Sequence, residues 1–232
     1  PNSCEITHGG PGTDLPDGHI LAVGTDGGTR FEDIDYGSTW PYRADGMVVR
    51  ISQTHARGGL AFVAHPNAKL LGTVPVYNVP VKTLADVIRR ANPEAIAIHS
   101  VASNAYSKWS EVMDRLGRPV WGYVEDDYHP DKLSRDNLAR TWVAVPGTPG
   151  DGWGNIKNRL KDGNYYCYWT DGAEWPSQIA PPQISLSVAS GTNGNPRIDV
   201  TLSGVQQVPA NRIRFIGRNG KTISRVDNPG NA

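Results

Sequence analysis

What most constrains this chain is a rhythm. Short runs of consecutive apolar residues recur along its first two thirds, and amphipathic or glycine-rich stretches lie between them. The runs are Glu5–Thr7, His19–Gly24, Leu60–Ala64, Ala95–His99, Pro119–Val124 and Trp142–Val145. Their apolar positions follow one another instead of alternating, which is how strands buried on both faces of a parallel sheet read. The intervening stretches have helical spacing. Met47–Arg57 carries Met47, Val48, Ile51 and His55 along one stripe and ends at Gly58-Gly59. Thr83–Ala91 opens on a threonine with Asp86 three residues on, close to a capping box. Ser103–Leu116 aligns Tyr106, Trp109, Met113 and Leu116 and stops at Gly117, and the shorter Gly154–Lys161 is closed by Asp162-Gly163. Strand–helix alternation of this kind predicts an α/β fold.

The character changes at Ile179-Ala-Pro-Pro182. Beyond it Ile184–Ala189, Arg197–Ser203, Arg212–Gly217 and Thr222–Val226 read as short strands. In the second of these, Ile198, Val200 and Leu202 alternate with polar residues, so that strand is half-exposed. Asn219-Gly220 is a strong hairpin signal. The reading is therefore two domains, an α/β body over 1–178 and a small antiparallel β domain over 179–232.

Charge and cysteine content exclude several classes. Lys+Arg and Asp+Glu are both 23 in 232 residues, giving no net charge. A nucleic-acid protein held by phosphate neutralisation, or a polybasic membrane-surface protein, needs a basic excess. The longest apolar stretch, Leu60–Ala64, is far short of the roughly 20 residues of a membrane-spanning helix. Two cysteines, Cys4 and Cys167, cannot build a cysteine-based metal site, and the sequence leaves open whether they pair.

The residues able to do chemistry collect at strand ends. His65 sits in Ala64-His-Pro66, directly after an apolar run, where α/β barrels place functional side chains. Asp127 and His129 follow the run ending at Val124, and alternate residues of an extended segment point the same way. His19 opens its run, and Glu5 lies in the extended segment before it. Carboxylates and imidazoles at several strand ends form a nitrogen–oxygen donor set suited to divalent Zn, Mn or Fe. Other histidines read differently. His99 is expected to be a hydrogen-bonded core residue and His55 a packing residue at a helix end. Asp126 divides evenly between orienting a ligand and facing solvent. The run Tyr165, Tyr166, Tyr168 and Trp169 reads as a strand packed between domains.

The ordered set Cys4-Glu-Ile-Thr7, Gly18-His-Ile-Leu-Ala-Val-Gly24, Gly58-Gly-Leu-Ala-Phe-Val-Ala-His-Pro66 and Asp126-Asp-Tyr-His129 resembles the polymerase and histidinol phosphatase (PHP) superfamily of metal-dependent phosphoesterases. The segment Ile213-Arg-Phe-Ile-Gly-Arg-Asn-Gly220 resembles the branch with a C-terminal β domain. The resemblance implies part of a distorted (β/α)7 barrel with up to three metal ions at its mouth. It implies that Glu5 bridges two ions and is catalytically essential, that His19 and His65 complete one site with it, and that Asp127 and His129 serve the others. Asp127 would join Glu5 in the catalytic set. The family's opening His-x-His and two further upstream histidines have no counterpart here, so the chain is expected to be a piece of a longer protein.

Two readings are open. In the first, the chain belongs to a hydrolase that attacks a small-molecule phosphate ester, or a related ester, with a metal-activated water. In the second, it is a catalytically incomplete PHP-like scaffold that self-associates or joins a larger extracellular or virion assembly.

Overall fold

The computed structural model describes residues 2–6, 18–25, 43–70, 74–100, 103–125, 140–145, 150–170, 183–191, 194, 196–203, 212–216 and 222–227. The chain divides into two compact units, Pro1–Ala173 with Arg218–Gly220, and Glu174–Gly217 with Lys221–Ala232.

The first unit is built on a six-stranded sheet. Strands β1 (Asn2–Ile6), β2 (His19–Thr25) and β3 (Leu60–Ala64) run antiparallel to one another in sequence order. Strand β3 then pairs parallel with a later strand, Ala95–Ser100, which pairs parallel with Trp121–Val124. In chain order the elements after β2 are α1 (Arg43–Ala56), β3, the hairpin β4 (Asn67–Leu70) and β5 (Val74–Asn78), α2 (Val81–Ala91), β6 (Ala95–Ser100), the short β7 (Ser103–Asn104), α3 (Tyr106–Leu116) and β8 (Trp121–Val124). A second ladder joins β9 (Arg140–Ala144) to β10 (Tyr166–Thr170), and α4 (Trp153–Lys161) lies between them in sequence.

All six apolar runs singled out in the sequence lie in or overlap strands, but the all-parallel expectation holds for β3, β6 and β8 alone. Consecutive apolar residues report burial on both faces and say nothing of direction. Direction is set by the connections, and the α1 connection returns the chain so that β2 and β3 are antiparallel. Among the described residues the sheet is open and no closed barrel is formed.

Burial on both faces follows from alternation within β3. Ala61 and Val63 face a cluster formed with Ile20, Met47, Ile51, Leu84, Ile88, Ile96 and Val112 from the helices α1 to α3 and the sheet. Leu60 and Phe62 face a second cluster with Ala95, Ala97, Tyr123 and Leu160, against which Trp153 and Ile156 of α4 pack. Helix α2 shows why these segments are helical: Leu84, Val87, Ile88 and Ala91 are buried at helical spacing. Truncating a side chain such as Ile96 to alanine should cost about 2–5 kcal/mol.

The helix ends differ in detail from the sequence reading. Helix α2 begins before Thr83, with Pro80 at the N-cap and no side-chain cap, so the expected capping box is not used. Its last turn closes on Asn92 in the left-handed conformation, whose N–H bonds Ile88 O at 3.1 Å. Helix α3 closes on Gly117 as expected, with the N–H on Met113 O at 2.9 Å. No helix among the described residues is long and apolar enough to cross a membrane.

The second unit contains β11 (Gln183–Ser190) paired antiparallel with β12 (Pro196–Ser203), and β13 (Arg212–Ile216) paired antiparallel with β14 (Thr222–Asp227). The four strands match the four short runs expected there, arranged as two separate ladders among the described residues.

Candidate functional site

The antiparallel return of β2 places its first residue beside the last residue of β3: His19 stands opposite Ala64, and His65 comes next in the chain. Strands β6 and β8 run parallel to β3, so the residues after them reach the same edge of the sheet. Glu125 is the first residue past β8, and its N–H bonds His99 O at the end of β6. A register slip between Ala97 and His99 interrupts the β6–β8 ladder at this point. Such irregularities bend a strand end and re-aim the residues beyond it.

Three side chains form a continuous hydrogen-bonded line here. Glu125 Oε1 accepts the backbone N–H of His65 at 2.6 Å and His65 Nδ1 at 2.9 Å. His65 Nε2 lies 2.7 Å from His19 Nδ1, with the two rings edge-to-face and their centroids 4.6 Å apart. The other carboxylate oxygen, Oε2, accepts the Tyr123 hydroxyl at 2.9 Å. His65 is 2% exposed and His19 5%. A carboxylate oxygen accepts, so Nδ1 is the donor toward Glu125 and the Nε2 lone pair is turned to His19 Nδ1. His65 also has a positive φ of 20°, unusual for a side chain of this size.

That backbone is held from the other side. Lys108 of α3 donates to Pro66 O at 2.9 Å, Val79 O at 2.9 Å and Asn78 Oδ1 at 2.6 Å, and Val79 N–H also bonds Pro66 O. Burial lowers the Lys108 ammonium to about 8, with Glu111 acting in the opposite direction. Lys108 thus clamps the residue after His65 to the start of α2.

Of the residues singled out in the sequence, His19 and His65 are brought together directly. Glu5 lies in β1, paired with Leu21 two residues along β2 from His19. Asp127 and His129, with Asp126, lie outside the described residues. Among the described residues no three His, Cys, Asp or Glu side chains are grouped so as to hold a metal ion. His99 is half-buried at the end of β6, opposite Val124. Cys167 is a free, half-buried thiol whose pKa burial raises to about 11, with a backbone hydrogen bond to Val124 working against the rise. Searches against family models, curated proteins and solved structures return no match.

Sequence reasoning missed Glu125, Tyr123 and Lys108. A signal for Glu125 existed. It immediately follows the run Val120–Val124, just as His65 follows Leu60–Ala64. The adjacent Asp127-Tyr-His129 spacing is the more visible pattern there.

Two imidazoles, His65 and His19, are the nitrogen donors that this edge could offer a divalent cation. A histidine whose Nδ1–H is held by a carboxylate presents Nε2 in fixed orientation, the arrangement that supports ligating histidines. His65 and His19 would be the nitrogen donors, and Glu125 the group that orients them.

Proposed function

We propose that this chain carries the metal-binding part of a metal-dependent hydrolase of phosphate esters with a PHP-type barrel organisation. The observation that carries the reading is the line Glu125–His65–His19. The sequential order β3, β6, β8, with α2 and α3 connecting them, supports a barrel segment, as does the collection of polar residues past strand ends.

A divalent ion bound there would supply Lewis acidity, bringing the pKa of a bound water toward neutrality and offsetting charge on phosphate oxygens. The chain's own groups have separate tasks. Glu125 fixes the His65 tautomer and takes up positive charge that develops on the ring. Tyr123 holds the second carboxylate oxygen so that Oε1 stays on His65. Lys108 fixes Pro66 and with it the direction in which the imidazole points. The low exposure of both rings excludes water from their flanks, which strengthens each electrostatic contact. Glu5, Asp127 and His129 complete the proposed donor set, with Glu5 and Asp127 as the catalytic carboxylates.

The test is to measure metal content by elemental analysis, and hydrolysis of an aryl phosphate ester with added Zn, Mn or Fe, in the wild type and in His65→Ala. The wild type should retain metal and turn over the ester, and the variant should lose both. Retention of both in His65→Ala removes the reading. Metal binding without turnover favours the scaffold alternative.

A further inference from the structure

The opposite edge of the same sheet holds a cleft of about 690 Å³, lined by residues that precede β3, β6 and β8 and by α4. The five residues of β3 separate it from His65 by roughly 16 Å. Its volume lies within the roughly 300–1,000 Å³ typical of small-molecule sites. Arg118, Lys157 and Lys161 line it against a single carboxylate, Glu94. That carboxylate is already engaged, accepting Ala61 N–H at 2.6 Å and His55 Nε2 at 3.1 Å.

Helix ends and loops that expose carbonyls would ordinarily repel an anion. Here three nearby carbonyls are covered. Ile88 O is taken by Asn92 N–H, Gly58 O by the Lys157 ammonium, and Lys161 O by the Trp121 indole N–H at 3.1 Å. Arg118 gives one guanidinium N–H to Asn92 Oδ1 at 2.9 Å. That contact uses one of its five donors. The Lys161 side chain has no partner among the described residues.

Trp121 completes the site. The indole is pinned at its N–H edge, and one of its faces lies against Gly163. A Cβ at Gly163 would fall 2.3 Å from the ring, and its φ of +69° also favours glycine. Trp121 as a whole nonetheless remains 40% exposed. A fixed, exposed aromatic surface beside a group of cations suits a flat heterocycle carrying an anionic group, because stacking and charge pairing are satisfied together.

We infer that this cleft is a second ligand site, independent of the histidine edge, which takes a mononucleotide-like molecule: the heterocycle stacks on Trp121 and the phosphate meets Arg118 and Lys161. The test is calorimetric titration of the whole chain with adenosine monophosphate in the presence of a metal chelator. Adenosine alone and inorganic phosphate serve as comparison probes. Adenosine monophosphate should bind more tightly than either. Trp121→Ala should weaken it by roughly tenfold, the worth of one base–aromatic stack. Lys161→Glu, an exposed substitution that leaves the core untouched, should weaken it by about the same factor, and added salt should weaken the wild type. His65→Ala should bind as the wild type does, which separates this site from the proposed hydrolase. No binding of adenosine monophosphate at millimolar concentration, or unchanged affinity in Lys161→Glu, overturns the inference.

Discussion

Strand β3 has a glutamate–histidine pair at each end, and the two pairs are built alike. Before the strand, Glu94 accepts the N–H of Ala61 at 2.6 Å and His55 Nε2 at 3.1 Å. After it, Glu125 accepts the N–H of His65 at 2.6 Å and His65 Nδ1 at 2.9 Å. A lysine clamps a carbonyl beside each pair, Lys157 on Gly58 O and Lys108 on Pro66 O. The difference lies in what the imidazole does next. The His55 side chain is 30% exposed, and its contact with Glu94 secures the last turn of α1 to the start of β6. His65 is enclosed, and its second nitrogen meets another histidine. The same carboxylate–imidazole unit is a fastening where the ring ends at the carboxylate. At the His65 end the second nitrogen is directed onto His19, and under the proposed function that pair is what a cation would meet.

The sharpest way to break this comparison is to remove each carboxylate in turn. Glu125→Ala leaves His65 N–H and His65 Nδ1–H without this acceptor in a buried setting, and leaves the Tyr123 hydroxyl only its longer contact to Val63 O at 3.3 Å. It should lower stability in urea unfolding by on the order of 3 kcal/mol. Glu125→Gln keeps an oxygen for His65 and should cost less stability. It should still weaken metal affinity by about 10–100-fold, because the neutral amide no longer raises the basicity of the ring. If metal affinity is unchanged in Glu125→Gln, the two ends of β3 are equivalent and the proposed site loses its main support.

Glu94→Ala is the matched experiment at the other end. It strands the Ala61 N–H and removes the His55 contact, so a loss of about 1–3 kcal/mol is expected. Metal affinity should not move. A drop in metal affinity here would mean that β3 transmits strain along its length, and the two pairs could not be read as separate devices.

Much of this arrangement was legible in the sequence, for local reasons. Burial on both faces wrote consecutive apolar residues into β2, β3 and β6, and helical spacing marked α2 and α3 to within a few residues. His19 and His65 stood out because each abuts an apolar run. Strand direction was not legible, since an apolar run carries no sign of orientation, and the β4–β5 hairpin was not anticipated. The glutamates were hidden by distance: Glu94 meets Ala61 33 residues away, and Glu125 meets His65 60 residues away. No local pattern encodes such a pairing. Lys108 sits on a helix whose apolar stripe is its visible feature, and its three acceptors, at the end of β5 and in the turns beside it and after β3, lie 29 to 42 residues upstream.

Cys167 gives a smaller and independent check on the body that holds both pairs. With its thiol raised to about 11 by burial, little thiolate exists in the folded chain near pH 8. Its alkylation there should be slow compared with the unfolded chain in denaturant. Fast reaction under native conditions would show that the packing of β10 beside Val124 opens readily.

The smallest expected effect tests the Lys108 clamp. Below pH 8, Lys108 is protonated in both the folded and the unfolded chain and adds no pH dependence. Between its folded value of about 8 and its ordinary 10.5, the unfolded chain holds the proton and the folded chain sheds it. The unfolded state then binds more protons, so stability rises with pH across this window. The interval from pH 8 to 9 is the cleanest, because Cys167, whose ordinary value is 9.0, works in the opposite direction above it. Unfolding free energies measured across that interval should rise slightly in the wild type, and the rise should vanish in Lys108→Met. A slope that survives in Lys108→Met would show that Lys108 is better solvated than its three acceptors suggest, and that the His65 end of β3 is held no more tightly than the His55 end.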